Sequence, residues 1–561
     1  MRIDLVVKSE RVFTGAAGAA GGAAGGARPG ALVVADGRIA FAGPADEARA
    51  FVRGHNDGPA PRVRDFGDAF VAPGLHDSHL HFFHSAVYSS ALATTFLGSS
   101  EADCVARLRA FAAERDAALP AAQRDGWLLA QGWREYRWDP PRTPSRASLD
   151  AAFPARPVAL YSGDAHTLWL NSVALRELGI RRDSAPPPGG SYDRDERGEL
   201  TGIVREAAAM ELMPRIMNAF GDEQIAAAYE GLLARLARCG ITSVCDLSLM
   251  AAPGLDFVRD DVHAALLARG RLTCRVHLFP TLLDDLSRAE ELRARLDGDM
   301  LRVCGLKQFF DGVSSQHTAW LMEPYANARF EGDRGRPTVE PGRMRSMVMS
   351  AARAGWPVRI HTIGDAAIHA ALDILEEARD AYGPLPEGRR NCLEHVENFL
   401  PGDVERMARL GVAAAVQPPH MTLDPGGPER DLGPERVELM WPFRALADAG
   451  ATLAFGTDSP VVDVDPMGVL YAAVARRDPA TRLPEGGWLP EQRLSRAEAL
   501  CAYTAGSAAA AGRGHELGTL APGMLADFAV FDRDLLTCPQ DDILKTRALA
   551  TYVGGRCVFE T

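Results

Sequence analysis

Between residues 240 and 456 one pattern recurs: a short apolar run, then in most repeats a segment of Ala, Leu, Arg and Glu at helical spacing. The apolar runs are 241–246 (ITSVCD), 272–279 (LTCRVHLF), 303–310 (VCGLKQFF), 357–362 (PVRIHT), 391–396 (NCLEHV), 412–417 (VAAAVQ) and 452–456 (TLAFG). Helical segments stand out at 223–238, 342–354 and 366–381, and a further strand-like run at 71–79 brings the strands to eight. Eight strands alternating with helices predict an α/β fold, a TIM-like (β/α)8 barrel. Enzymes on that fold carry their chemistry where strands end and the following loops begin.

The two ends of the chain read differently. Residues 1–70 hold short alternating runs broken by Gly turns, with Asp36-Gly37 a strong hairpin signal. Such strands are too few for a core of their own, and 516–561 supplies more of the same kind. A small sheet built from 1–70 and 516–561 is expected to bracket a barrel of 71–515. About 160 residues separate His81 from Gly240, far more than one strand–helix connection needs. The stretch 82–239 is therefore expected to contain an insertion or lid after the first barrel strand. It includes GWREYRWDP (132–140), a strand-like VALYSGDAH ending at His166, and a Pro/Gly loop at 185–193. The Gly/Ala run at 15–26 reads as a flexible loop, and no apolar segment reaches 18 residues.

Charge narrows the partners. The 561 residues carry 61 basic and 74 acidic side chains, a net charge of −13, with no basic block. Nucleic acid and anionic membranes are poor partners for such a surface. The expectation is a soluble cytoplasmic chain acting on a small molecule, as a monomer or a homo-oligomer. Nine dispersed cysteines without a CxxC pair fit reduced thiols.

The first strand ends in APGLHDSHLH (72–81). Side chains alternate along a strand, so His79 and His81 leave it on the same side, a geometry suited to a zinc-like divalent ion. Alone, such a pair is as readily part of a polar turn. Later strand ends add Lys307 in GLKQFFDG, His361 in VRIHT, His395 in LEHVE and Asp458 in FGTDSP. His361 and His395 lie 34 residues apart (395 − 361), about one strand–helix repeat. Singly, each histidine or aspartate has an ordinary structural explanation. Lys307 is harder to explain away, because an ammonium inside an apolar strand must pair, lose its proton or be modified.

Taken with the surrounding motifs, the chain resembles the amidohydrolase superfamily and, within it, amidohydrolase family 3, the YtcJ-like branch. Matching stretches run in order along nearly the whole sequence: DGRIAFAG (36–43), APGLHDSHLH (72–81), GWLLAQGW (126–133), DAHTLWLNSVAL (164–175) and RGELTGIVRE (197–206). GITSV (240–244), GLKQFFDG (305–312), HTIGDAA (361–367), LEHVE (393–397), FGTDSP (455–460) and LGTLAPGMLADFAVFD (517–532) follow. The resemblance implies a metal-dependent hydrolase whose barrel carries a composite β-sandwich from both termini. It implies His79 and His81 as the first-strand metal pair, and Lys307 as the lysine that is carboxylated in two-metal members. His361 and His395 are the implied ligands of a second ion, and Asp458 binds the first ion and handles the proton. The implied reaction is cleavage of an amide-type C–N bond, in an N-substituted amide or formamide, by metal-activated hydroxide, with one or two zinc-like ions. The alternatives are a mononuclear deaminase-like hydrolase with unmodified Lys307, and a non-catalytic scaffold, against which retention of all six residues argues.

Two positions depart from the family pattern. His76 stands where an apolar residue is usual; alternation turns it from the metal face, and a hydrogen-bonded structural role is expected. His317 stands where the family tends to place an arginine. Candidate substrate contacts are Trp133, Tyr136, Trp138, His166, Asn171, His317 and Trp320, each against core packing as the alternative. Asp365 either orients His361 or caps the helix that follows it.

Overall fold

The structure is a computed structural model that describes residues 1–15, 26–118, 124–163, 167–187, 190–249 and 256–561. His166, the Tyr136 side chain and most of the Gly/Ala run lie outside the described residues. The chain divides into two compact units, Met1–Phe82 with Leu233–Thr561, and Phe83–Leu232.

The first unit contains eight main parallel strands: β1 (Leu75–Leu80), β2 (Ile241–Leu247), β3 (Arg275–Phe279), β4 (Leu306–Phe309), β5 (Val358–Thr362), β6 (Cys392–His395), β7 (Ala413–Val416) and β8 (Leu453–Phe455). One parallel sheet joins β1, β2 and β3 with a short strand Leu301–Val303, and a second runs β4 to β8 in sequence order. Parallel bridges connect their edges, from Leu80 to Ser459 just past β8, and from Thr281 just past β3 to Lys307 on β4. Every residue of β1, β2 and β5 is buried, as strands covered on both faces require. Helices Asp260–Ala268, Pro341–Arg353, Asp365–Tyr382 and Asp403–Leu410 return the chain between successive strands.

Two of the expected strands break where the apolar pattern runs on. The run at 71–79 is cut at Gly74: Phe70–Pro73 pairs antiparallel with Phe528–Phe531, while Leu75 opens β1 beside β2. A Cβ at position 74 would lie 2.1 Å from Thr242 Oγ1, so only glycine can make the crossing. The run at 303–310 is cut at Gly305, leaving Leu301–Val303 in the first sheet and Leu306–Phe309 in the second. There a Cβ would meet the Pro357 carbonyl at 2.8 Å.

Both chain ends build one eight-stranded sheet. Its order is Arg556–Glu560, Ala548–Val553, Phe528–Phe531, Phe70–Pro73, Ile3–Val12, Arg28–Ala35 and Arg38–Gly43, with Arg62–Asp65 beside Ile3–Val12. Asp36 and Gly37 both have positive φ (50° and 73°), the backbone that a two-residue hairpin turn demands. Arg275, at the start of β3, ties this sheet to the parallel strands: it donates to both oxygens of Asp527, at 2.6 and 2.9 Å, with both side chains buried. The Gly554 amide adds a third bond to Asp527 at 2.7 Å.

The second unit carries a six-stranded sheet in the order Gly190–Arg194, Leu200–Glu206, Thr167–Leu170, Val158–Ser162, Leu128–Trp133 and Ala93–Thr95. All nine cysteines are free, and no helix among the described residues is long and apolar enough to cross a membrane.

Removing one partner of a buried ion pair strands the other charge in a low-dielectric interior. Asp527→Ala is therefore expected to cost about 3–5 kcal/mol, measured by urea unfolding; a loss below about 1 kcal/mol would place the pair among those that contribute little.

Candidate metal centre

The strand ends deliver the six singled-out residues to one place. His79 Nε2 and His81 Nε2 approach Asp458 Oδ1 to 3.3 and 3.1 Å. Asp458 sits just past β8 in the left-handed region (φ 56°), and its amide donates to the His79 carbonyl at 2.7 Å. His395, the last residue of β6, also has positive φ (69°). Its ring centroid lies 4.9 Å from that of His79 and 4.4 Å from that of His361. In the strand register Phe309 pairs with His361 and Thr362 with His395, which sets the ends of β4, β5 and β6 side by side. Lys307 is completely buried on β4, within electrostatic reach of Glu394, Asp458 and His361.

Four of these imidazoles have their tautomer set by a partner away from the cluster centre. His79 Nδ1 donates to Glu394 Oε2 at 2.5 Å, and His81 Nδ1 to the Leu247 carbonyl at 2.9 Å. His395 Nδ1 donates to Gln417 Oε1 at 2.9 Å, and His361 Nε2 to the Gly312 carbonyl at 3.1 Å. A neutral ring that donates from one nitrogen presents a lone pair on the other, the form in which histidine binds metal. Against burial, Asp458 and Glu394 push His79 above its ordinary value, so there a cation would displace a proton.

Burial shapes the charges. It drives His361 down to about 3 and His395 well below its ordinary value, so both rings are neutral. Burial opposes ionisation of Asp458 and Glu394 as well, but is outweighed. His79 and His81 hold Asp458 well below the usual carboxylate range, and Arg359 with His79 holds Glu394 at about 2. Arg359 Nε donates to Glu394 Oε1 at 2.5 Å, and both groups are fully buried. Lys307 is brought down to about 8 by burial, against the pull of Glu394 and Asp458. Its Nζ has no hydrogen-bond partner among the described residues and lies 4.4 Å from the Phe309 ring centroid. Asp77 braces the first and last strands: it accepts from Thr457 Oγ1 at 2.7 Å, and from the Thr457 and His79 amides at 3.1 Å each.

The remaining sequence candidates are distributed. Asp365 accepts from the Met322 and Ala366 amides at 2.8 Å each, which ties the loop after β4 to the start of the next helix, while His361 bonds to Gly312. In that loop Asp311 accepts from the amides of Trp320, Ile363 and Gly364. Trp320 is half-buried with its ring edge-on to Phe310, and His317 donates to Asp333 at 2.6 Å while stacking on Tyr325. In the second unit Trp133 is buried between Trp138 and Trp169 and donates to the Leu160 carbonyl. The Asn171 amide is spent on the Val158 and Ala174 amides and the Phe153 and Arg156 carbonyls. Packing and backbone bonding account for both side chains. Sequence reasoning missed Glu394, Arg359, Gln417 and a fifth imidazole, His420, whose Nε2 lies 3.9 Å from Asp458 Oδ2.

His76 turns away from this cluster, as alternation requires. Its Nε2 accepts from His277 Nδ1 at 3.2 Å and lies 3.5 Å from Cys245 Sγ, while Arg513 donates to His277 Nε2 at 3.2 Å. These bonds run between β1, β2 and β3.

These features are those of a metal-dependent hydrolase: parallel strands whose ends gather neutral imidazoles, a carboxylate and an unpaired lysine. Residues 62–559 match the amidohydrolase family, and the chain belongs to it. It is 30% identical over 539 residues to Protein LONG AFTER FAR-RED 3 of Arabidopsis thaliana, covering 94% of this chain and 88% of that protein. To N-substituted formamide deformylase of Arthrobacter pascens it is 27% identical over 545 residues, covering 94% and 95%. Among solved structures it is similar to an uncharacterized metal-dependent hydrolase from Pyrococcus horikoshii OT3, with a TM-score of 0.75 and 24% identity over 96% of this chain and 99% of that one.

Burial, reinforced by Arg359 and Arg513, holds the His76 ring down at about 3. The folded ring thus stays neutral while the unfolded chain protonates near 6.5, so its contribution to stability is complete above pH 6.5 and is lost as pH falls towards 3. The stability margin over His76→Gln is expected to shrink by about 1.4 kcal/mol per pH unit below pH 6. Urea unfolding at several pH values measures it, and a pH-independent margin would refute the neutral assignment.

Proposed function

We propose that this chain is a hydrolase that cleaves an amide-type C–N bond with the help of a divalent metal, on a closed (β/α)8 barrel formed by β1 to β8. The carrying observation is the set of ring nitrogens: His79, His81, His361 and His395 each bond an outer acceptor through one nitrogen and turn the other towards the centre, where a bound cation would take the place of any proton. Histidine lone pairs with a carboxylate oxygen are the donor set of zinc-like ions. His79, His81 and Asp458 would hold one ion, their ligand atoms lying within 4.8 Å of one another. Lys307, His361 and His395 face a second. Burial brings the unpaired Lys307 amine down to about 8, which raises the share of its neutral form. Its neutral form is the one that adds CO2, and carboxylation would replace a stranded cation with an oxygen donor.

An ion in this site would supply Lewis acidity and lower the pKa of water. The protein's own part is proton handling and orientation. Asp458 is ionised, with Oδ1 turned to His79 and His81, and its carboxylate takes a proton from water and returns it to the leaving nitrogen. Glu394 and Gln417 fix the orientation of His79 and His395. The loop after β4, pinned by Asp311, borders the substrate through Trp320, with His317 behind it. The name of the formamide-deformylase relative supports an N-substituted formamide or amide as substrate, and the unpaired thiols support action in the cytoplasm. In the one-ion version only the His79, His81 and Asp458 position is filled and Lys307 stays a plain amine; ion count at saturation separates the two.

Stripping the metal with a chelator is expected to abolish hydrolysis of N-substituted formamides and amides, and zinc or manganese to restore it. Full activity in stripped protein would overturn the reading. Asp458→Asn should keep bound metal while kcat falls by about 10²–10⁴; unchanged turnover would remove Asp458 from the proton path.

A further inference from the structure

We infer that His420, on the loop after β7, is a further ligand of this centre and holds an ion jointly with His395 and Asp458. The inference rests on the metal-dependent reading above. Pro418–Thr422 forms a single helical turn directly after β7, and the His420 amide donates to the Gln417 carbonyl at 2.9 Å. The same Gln417 bonds His395 through its side chain, so one residue sets both rings. Those rings lie parallel, 11° apart in plane, with centroids separated by 6.1 Å.

His420 Nε2 is buried with no hydrogen-bond partner among the described residues. That nitrogen faces Asp458 Oδ2 at 3.9 Å. The gap is too long for a hydrogen bond, and it is one that a shared cation would bridge. His395 offers its own lone pair, because its Nδ1 proton goes to Gln417. One ligand atom each from His395, His420 and Asp458 lies within 4.8 Å of the others. Around an ion with bonds of about 2.0–2.1 Å, neighbouring ligand atoms stand roughly 3.3 Å apart. The 3.9 Å edge thus closes by about half an ångström.

Asp458 has a separate oxygen for each side: Oδ1 faces His79 and His81, and Oδ2 faces His420. It can join an ion held by the first-strand pair to one held by His395 and His420. The loop after β7 then supplies metal chemistry, although no strand-end residue of that repeat signals it.

The test is Co(II) and Zn(II) titration of metal-stripped full-length protein, comparing wild type with His420→Ala and His420→Gln. Calorimetry, bound-metal content and the Co(II) d–d spectrum are the readouts. Loss of one bound ion, or an affinity weakened more than about tenfold, is expected in both variants together with an altered Co(II) spectrum. Unchanged unfolding midpoints in chelator would show that the effect is not a folding defect. Wild-type stoichiometry, affinity and Co(II) spectrum in both variants would overturn the inference while leaving the hydrolase reading intact; that result would make His420 a simple charge partner of Asp458. Failure of wild type itself to bind either ion would remove both.

Discussion

A single buried carboxylate holds the centre in place. Glu394 reaches Arg359 with one oxygen and His79 with the other, and all three side chains are essentially closed to solvent. Two charges taken out of water repay the cost only when geometry is good and the remaining donors are satisfied. Arg359 meets this in part, through one short bond to Glu394 and a face-on approach to Phe279 at 4.8 Å. Its two terminal nitrogens have no partner among the described residues. The arrangement fixes where the negative charge sits, and with it the orientation of the His79 ring.

The backbone around the centre is under related constraint. His395, Val396 and Asp458 all adopt positive φ, which costs non-glycine residues of order 1–3 kcal/mol each. Such conformations persist where the surroundings over-determine them. Here Asp77 holds the Thr457 amide and hydroxyl, the His79 carbonyl receives the Asp458 amide, and Gln417 fixes His395. Strand ends meet the loops at angles that regular strands cannot supply, and the carboxylate and imidazole are aimed inward as a result.

Much of this was legible in the residues themselves. His79, His81, Lys307, His361, His395 and Asp458 could be found because alternation and strand-end position are local properties of a chain. The breaks at Gly74 and Gly305 were hidden, since an apolar run reads the same whether it stays in one sheet or passes to another; close approach of Thr242 and Pro357 decides it. Glu394 lay in plain view in LEHVE, but only packing reveals that its charge is shared by Arg359 and His79. His420 follows two prolines in an irregular turn, where no periodicity marks a direction. Trp133 and Asn171, in the expected lid, have their side chains engaged by packing and backbone bonds, the alternative that the sequence left open.

The break at Gly74 has a consequence for how the chain matures. The strand that ends in His79 and His81 is seated upstream by Phe70–Pro73, whose antiparallel partner is Phe528–Phe531 near the other end of the sequence. During synthesis from the N-terminus, that partner emerges only after all eight parallel strands have been made. The first ligands to leave the ribosome are thus among the last to be locked, and a chain interrupted anywhere before residue 528 carries its histidines without the backing that aims them.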